Sequence, residues 1–156
     1  MDITATLDAP CEPSVLTAWV SDLGRYPEWL EIVPRAEPAP PHDGDPGPAW
    51  LVDLRGRLGP LARSKRLRMV RSTLQPGEAV RFERRELDGR RHSTWLLEAT
   101  VDPHDGGSRL TMGLHYGGAF GGPVLERMLR DEIERSRPRL LACVAGGPPP
   151  EPPSGR

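Results

Sequence analysis

At 156 residues the chain has the length of one domain, enough to bury a core without metal or disulfide, and its net charge of −1 removes the bulk attraction that draws basic proteins to nucleic acid. Cys11 and Cys143 lie at opposite ends without metal-ligand spacing and read as reduced thiols, so the sequence calls for no metal and no cofactor. No apolar run approaches the ~20 residues of an integral membrane segment, and the N-terminus alternates polar and apolar residues in place of a charged-then-apolar leader, which together point to a cytoplasmic protein.

The first element is a half-buried strand over Asp2–Leu7, where Ile3, Ala5 and Leu7 alternate with polar residues. Pro10 and Pro13 then open a helix to about Ser21, proline being tolerated in a first turn, with Val15, Leu16, Trp19 and Val20 on its apolar face. A second short helix spans Gly24 to about Leu30. Glu37–Pro48 holds five prolines and two glycines and reads as a long mobile loop.

A run of strands follows. Ala49–Leu58 places Trp50, Val52, Leu54 and Leu58 on one face and Asp53, Arg55 and Arg57 on the other. Arg63–Leu74 turns Leu67 and Met69 inward and Arg66 and Arg68 outward. Gln75–Glu78 carries the proline and glycine of a type II turn. Val80–Leu87 points Val80 and Phe82 inward, with Arg81, Glu83 and Arg85 outward, and Asp88–Gly89 makes the next hairpin connection. Ser93–Val101 aligns Trp95, Leu97, Ala99 and Val101. After a turn at Asp105–Gly107, the last strand lines up Leu110, Met112, Leu114 and Tyr116. Strands joined by short turns are antiparallel.

Beyond a glycine-rich joint at 117–122 comes a helix of about twenty residues, with a kink expected near Ser136 because Pro138 removes a backbone donor. Its apolar face reads Val124, Leu125, Met128, Leu129, Ile133, Ser136, Leu140, Leu141 and Val144. The tail 146–156 is rich in proline and glycine and reads as disordered, leaving one domain over 1–145. A sheet with one charged and one apolar face needs a single helical layer over the latter, an α+β arrangement.

Within this order, Ser21-Asp22-Leu23-Gly24-Arg25-Tyr26-Pro27-Glu28-Trp29 resembles the helix-to-helix signature of the START-like superfamily, which includes the polyketide cyclase/dehydrase, lipid-transport and birch-pollen-allergen-like proteins. The resemblance covers roughly residues 1–145 by element order. It implies a helix-grip fold: a curved antiparallel sheet of about seven strands wrapped on a long C-terminal helix, with two short helices after the first strand. It also implies a cavity between sheet and helix for a lipid, quinone or polyketide-like guest. A minority of members catalyse cyclisation or dehydration.

The side chains converging on that space are Trp50, Met69, Phe82, Trp95, Leu97, Met112, Leu114, Tyr116, Met128, Leu129 and Ile133. They either line a ligand cavity or close-pack as core, and the pattern alone does not separate the two. Trp95 and Tyr116 have polar tips that would orient a guest. Arg71 and Arg84 share the inward parity near strand ends, with Glu86 beside them; buried, they need either an Arg–Glu pair or an anionic group on the guest. Tyr26 and Trp29 either touch the guest or anchor the short helices beneath the sheet, the second being the commoner part of large aromatics.

The leading expectation is a carrier or sensor of a small apolar ligand, monomer or homodimer, whose Trp95 or Trp50 emission responds to the guest. An aromatase/cyclase alternative would pair Arg71 or Arg84 with Tyr116, one polarising a carbonyl and the other relaying a proton. A third reading makes the outer sheet face, with Asp53, Arg55, Arg57, Arg66, Arg68, Arg81, Glu83 and Arg85, a docking surface for a partner. Clustered arginine would suit nucleic acid, but acids interrupt the arginines and no aromatic alternates with them to stack bases, so a solvated face or an acidic partner is the reading kept and no nucleic acid is expected. His42 and His104 fall in loops, His92 and His115 on the outer face, none with metal-site spacing.

Overall fold

The computed structural model describes residues 1–57, 61–75, 79–119 and 122–146. Leu58, the turn residues 76–78, positions 120 and 121 of the glycine joint and the tail 147–156 lie outside the described residues. In chain order the elements are β1 (Asp2–Ala9), α1 (Pro13–Val20), a 3-10 helix (Leu23–Glu28), β2 (Arg35–Ala39), β3 (Ala49–Leu54), β4 (Lys65–Gln75), β5 (Ala79–Arg84), β6 (Trp95–His104), β7 (Gly107–Tyr116) and α2 (Gly122–Ala145). The strands form one antiparallel sheet in the order β1-β7-β6-β5-β4-β3-β2. The first strand therefore closes on the last, and β1 and β2 are the edges. With α2 behind the sheet, this is the helix grip.

Side-chain parity carries across the ladder. Ile3 faces Leu114, Ala5 faces Met112 and Leu7 faces Leu110 between β1 and β7, while Leu97 and Ala99 of β6 oppose Leu114 and Met112. A one-residue slip would turn all of them to solvent, so the buried face fixes the register. Between β4 and β5 the pairing shifts at Arg71/Thr73, an irregularity that adds one residue to β4 and bends the sheet locally.

The helices are set by local chemistry. Pro13 opens α1, and the Ser21 N–H closes it by donating to the Thr17 carbonyl at 2.9 Å. Leu16, Trp19 and Val20 are buried, whereas Val15, assigned to the same stripe, is 39% exposed. The second short helix is a six-residue 3-10 turn, with the Asp22 carboxylate accepting from the Gly24 N–H at 2.8 Å. Pro27 within it removes a donor that a longer α-helical ladder would need. α2 runs without interruption through Pro138.

Four expectations are corrected. The segment 37–48 is not wholly a loop: its first residues belong to β2, which pairs with β3, because proline is tolerated on an edge strand. Its remainder is tied down at Asp45, whose carboxylate takes two hydrogen bonds from Arg68, at 2.6 and 3.1 Å. Arg68 has the outward parity expected of it but is not solvated; its side chain is 5% exposed and that of Asp45 8%. Finally, the connection that holds Asp88–Gly89 is longer than the 88–92 left between the expected strands. β5 ends at Arg84 and β6 begins at Trp95, so Gly89 and His92 fall in a ten-residue connection at 85–94, where the His92 ring meets the Asp88 carboxylate at 2.8 Å.

Candidate functional site: an apolar cavity under the long helix

Between the sheet and α2 lies a cavity of about 160 Å³. The sheet contributes Ile3, Ala5 and Leu7 from β1, Val52 and Leu54 from β3, Leu67 and Met69 from β4, Trp95 and Leu97 from β6, and Leu110, Met112 and Leu114 from β7. Leu23, Tyr26, Trp29, Leu30, Ile32 and Val33 close one side, and Leu129, Glu132, Ile133, Ser136 and Leu140 of α2 form the lid. Alternation turns every second residue of these five strands toward this wall, so its membership, though not the empty space behind it, follows from the period-2 pattern.

Of the side chains read from the sequence, Met69, Trp95, Leu97, Met112, Leu114, Leu129 and Ile133 line the cavity. Trp50, Phe82, Tyr116, Met128, Arg71 and Arg84 do not. Phe82 is sealed by aromatic neighbours, with Trp50 edge-on at 5.7 Å and Tyr26 at 6.3 Å. Tyr116 packs against Trp95, the ring centroids 4.7 Å apart and the planes tilted by 44°. Met128 rests against Gly56, where a Cβ would collide with its thioether.

The two inward arginines are spent on the protein itself. Arg71 reaches past Trp50, 5.9 Å from its ring, and donates to the Ser21 carbonyl at the C-terminus of α1 at 2.9 Å, where a cation meets the negative end of the helix dipole. Arg84 donates to Glu86 at 2.6 Å and to the Ser93 carbonyl and hydroxyl at 3.3 and 3.1 Å. Neither guanidinium lines the cavity, so the arginine-and-tyrosine pair of a cyclase is not assembled there. The outer sheet face is likewise largely self-paired: Arg66 with Asp53, Arg81 with Glu98, Arg85 with Glu83, and Arg109 with Asp8.

Three polar features complete the wall, and two of them escaped the sequence. Tyr26 and Trp29, read as anchors, do anchor the 3-10 helix, the Tyr26 hydroxyl donating to the Val20 carbonyl at 2.8 Å, but both rings also face the cavity. Burial holds the Tyr26 phenol far above its ordinary range, so it stays a neutral donor. The second feature is Glu132, 3% exposed on the cavity side of α2. Leu125, Leu129, Glu132, Ser136 and Leu140 are all buried at steps of 4, 3, 4 and 4 residues, the spacing of one helical seam. Reading that seam by apolar residue type passed over the glutamate. The third is a clasp at the lid: the Glu31 carboxylate meets Arg57 at 3.1 Å, Arg139 at 3.4 Å and Arg135 at 3.9 Å, tying the 29–33 segment to α2.

Comparison with known proteins agrees with this geometry. The profile of the family described as polyketide cyclase / dehydrase and lipid transport matches residues 1–142. No curated protein matches the chain. Among solved structures, the chain is similar to a START superfamily protein from Mycobacterium smegmatis, at 16% identity and a TM-score of 0.69 over 93% of this chain and 97% of that one. It is similar to a protein of Thermus thermophilus, TTHA0849, at 16% identity and a TM-score of 0.73 over 94% and 98%. It also overlays the di-domain ARO/CYC StfQ of the steffimycin biosynthetic pathway, at 14% identity and a TM-score of 0.66, covering 93% of this chain and 51% of that one. At these identities the likeness is one of fold.

Proposed function

Because this chain belongs to the polyketide cyclase / dehydrase and lipid transport family, we propose that it binds a small, largely apolar molecule in the cavity beneath α2, as a carrier or sensor. The observation that supports the reading is the cavity itself, about 160 Å³ walled by apolar side chains from five strands, the 3-10 segment and α2. Guest burial there contributes roughly 25 cal/mol per Å² of apolar area, less the cost of immobilising the guest.

The volume limits the guest. A cavity of about 150 Å³ lined by aliphatic and aromatic side chains holds a benzene ring, whereas drug-sized ligands need roughly 300 Å³ or more. As it stands the cavity admits a single ring; a fused-ring polyketide or long lipid requires α2 and the 29–33 segment to part.

Titrating toluene while following tryptophan emission tests the proposal, since Trp29 and Trp95 both line the cavity. Saturable quenching or a shift in the emission maximum is expected. Ala5→Leu adds three carbons on the inward face opposite Met112 and should abolish the response while the protein stays folded. Unchanged emission together with no heat of binding by calorimetry would defeat the reading.

A further inference from the structure

Among the described residues Glu132 is the one acidic group in the cavity wall, and half of it is unused. Its Oε1 accepts from the Arg135 guanidinium, whereas its Oε2 is buried and has no hydrogen-bond partner among the described residues. A buried acceptor without a donor costs about 1–3 kcal/mol, more when charged, so a fold keeps one where something absent from the chain supplies the donor. Two other wall residues show the complementary lack: the indole N–H groups of Trp29 and Trp95 are buried and donate to nothing among the described residues.

We propose that Glu132 is the specificity-determining residue of the cavity, its Oε2 accepting a hydrogen bond from the hydroxyl of a neutral, single-ring guest such as a phenol. The inference rests on the cavity-binding reading and adds the polar half of the guest to it. Charge selects the class. Arg135 already neutralises Glu132, so a cationic guest would bring an uncompensated charge into an apolar site, and an anionic one would meet the carboxylate. Arg137, the cation of the wall, is engaged by Glu134 and the Thr6 carbonyl. A ketone or ether has no proton for Oε2. A hydroxyl has one, and its oxygen still accepts from an indole N–H. Position agrees with size: Glu132 lies within the lid, flanked along the seam by Leu129 and Ser136, so a hydroxyl beneath it leaves the ring among the apolar side chains of the wall.

Calorimetry with phenol and toluene on the full chain tests the assignment, comparing wild type with Glu132→Leu and Glu132→Gln. Phenol is the better hydrated of the two and would bind the more weakly in a wholly apolar cavity; the wild type should bind it at least as tightly as toluene. Glu132→Leu should lower the affinity for phenol relative to toluene about tenfold or more, the value of a hydrogen bond to a charged group. A merely structural role for Glu132 would move both ligands together. Glu132→Gln retains an oxygen acceptor and the side-chain shape, and should lose phenol affinity by only about threefold, since charge assistance roughly doubles such a bond. It also preserves the comparison if the leucine variant does not fold. Toluene binding with phenol affinity indifferent to both substitutions would overturn the assignment and leave the cavity reading standing. Binding of neither ligand would remove both.

Discussion

Phe82 is wholly buried and points inward, yet it stands outside the cavity wall because Trp50 and Tyr26 meet its ring edge-on. Parity assigns a side chain to a face but says nothing of which neighbour reaches it first. Met69, Leu97, Met112 and Leu114 share the inward parity and do line the wall; Phe82 and Trp50 do not, because the 3-10 helix brings Tyr26 onto Phe82 and Trp50 packs on the same ring. Phe82→Leu should therefore cost about 1–3 kcal/mol in urea unfolding, since it removes part of one well-packed ring, and leave toluene affinity within error. A loss of affinity comparable to the loss of stability would place Phe82 in the site. Glu132 illustrates the opposite miss: its helical spacing was in plain view, but its residue type hid it from a search for apolar stripes.

The proline-rich segment behaves as an edge strand followed by a strap. β2 supplies the edge, and Asp45 pins the rest to the outer face of β4 through Arg68, whose guanidinium also reaches the Arg85 carbonyl at 3.3 Å. The Arg68 hydrogen bond holds the Asp45 carboxyl below its ordinary value of 3.8. The sign follows from linkage: the unfolded chain takes up this proton first as pH falls. The strap's contribution is thus complete above about pH 4 and is lost as pH drops through the lower, folded-state value. Urea midpoints measured from pH 7 to pH 2.5 should fall over the acid end for wild type, and Asp45→Asn should lower the midpoint at pH 7 while flattening that part of the profile. An unchanged profile in the variant would mean that the pair carries no net stability. No sequence pattern showed this contact, since composition marks the segment as irregular without saying what it lies upon.

A ligand that enters only the folded state stabilises the whole chain by mass action. At ten times its Kd, toluene should add about 1.4 kcal/mol and raise the melting temperature by several degrees in wild type, and add nothing in Ala5→Leu. An identical rise in the variant would mean binding elsewhere on the surface. The cavity is a property of the assembled molecule in this sense: it is bounded by five strands, the 3-10 segment and α2, and β5 contributes no side chain to it.

By itself the sequence determined the element order apart from β2, the inward set of the strands it marked and the amphipathic C-terminal helix, because these depend on periodicities of 2 and 3.6 residues written locally in the chain. The signature Ser21–Trp29 added the grip. Tertiary structure alone decided the pairing of β1 with β7, the sealing of Phe82 and Trp50, the diversion of Arg71 to the end of α1, and the burial of Glu132 over a space that side chains do not fill. Each of those turns on which distant residues arrive at the same point, and on whether their volumes add up to the room available, which no local pattern encodes.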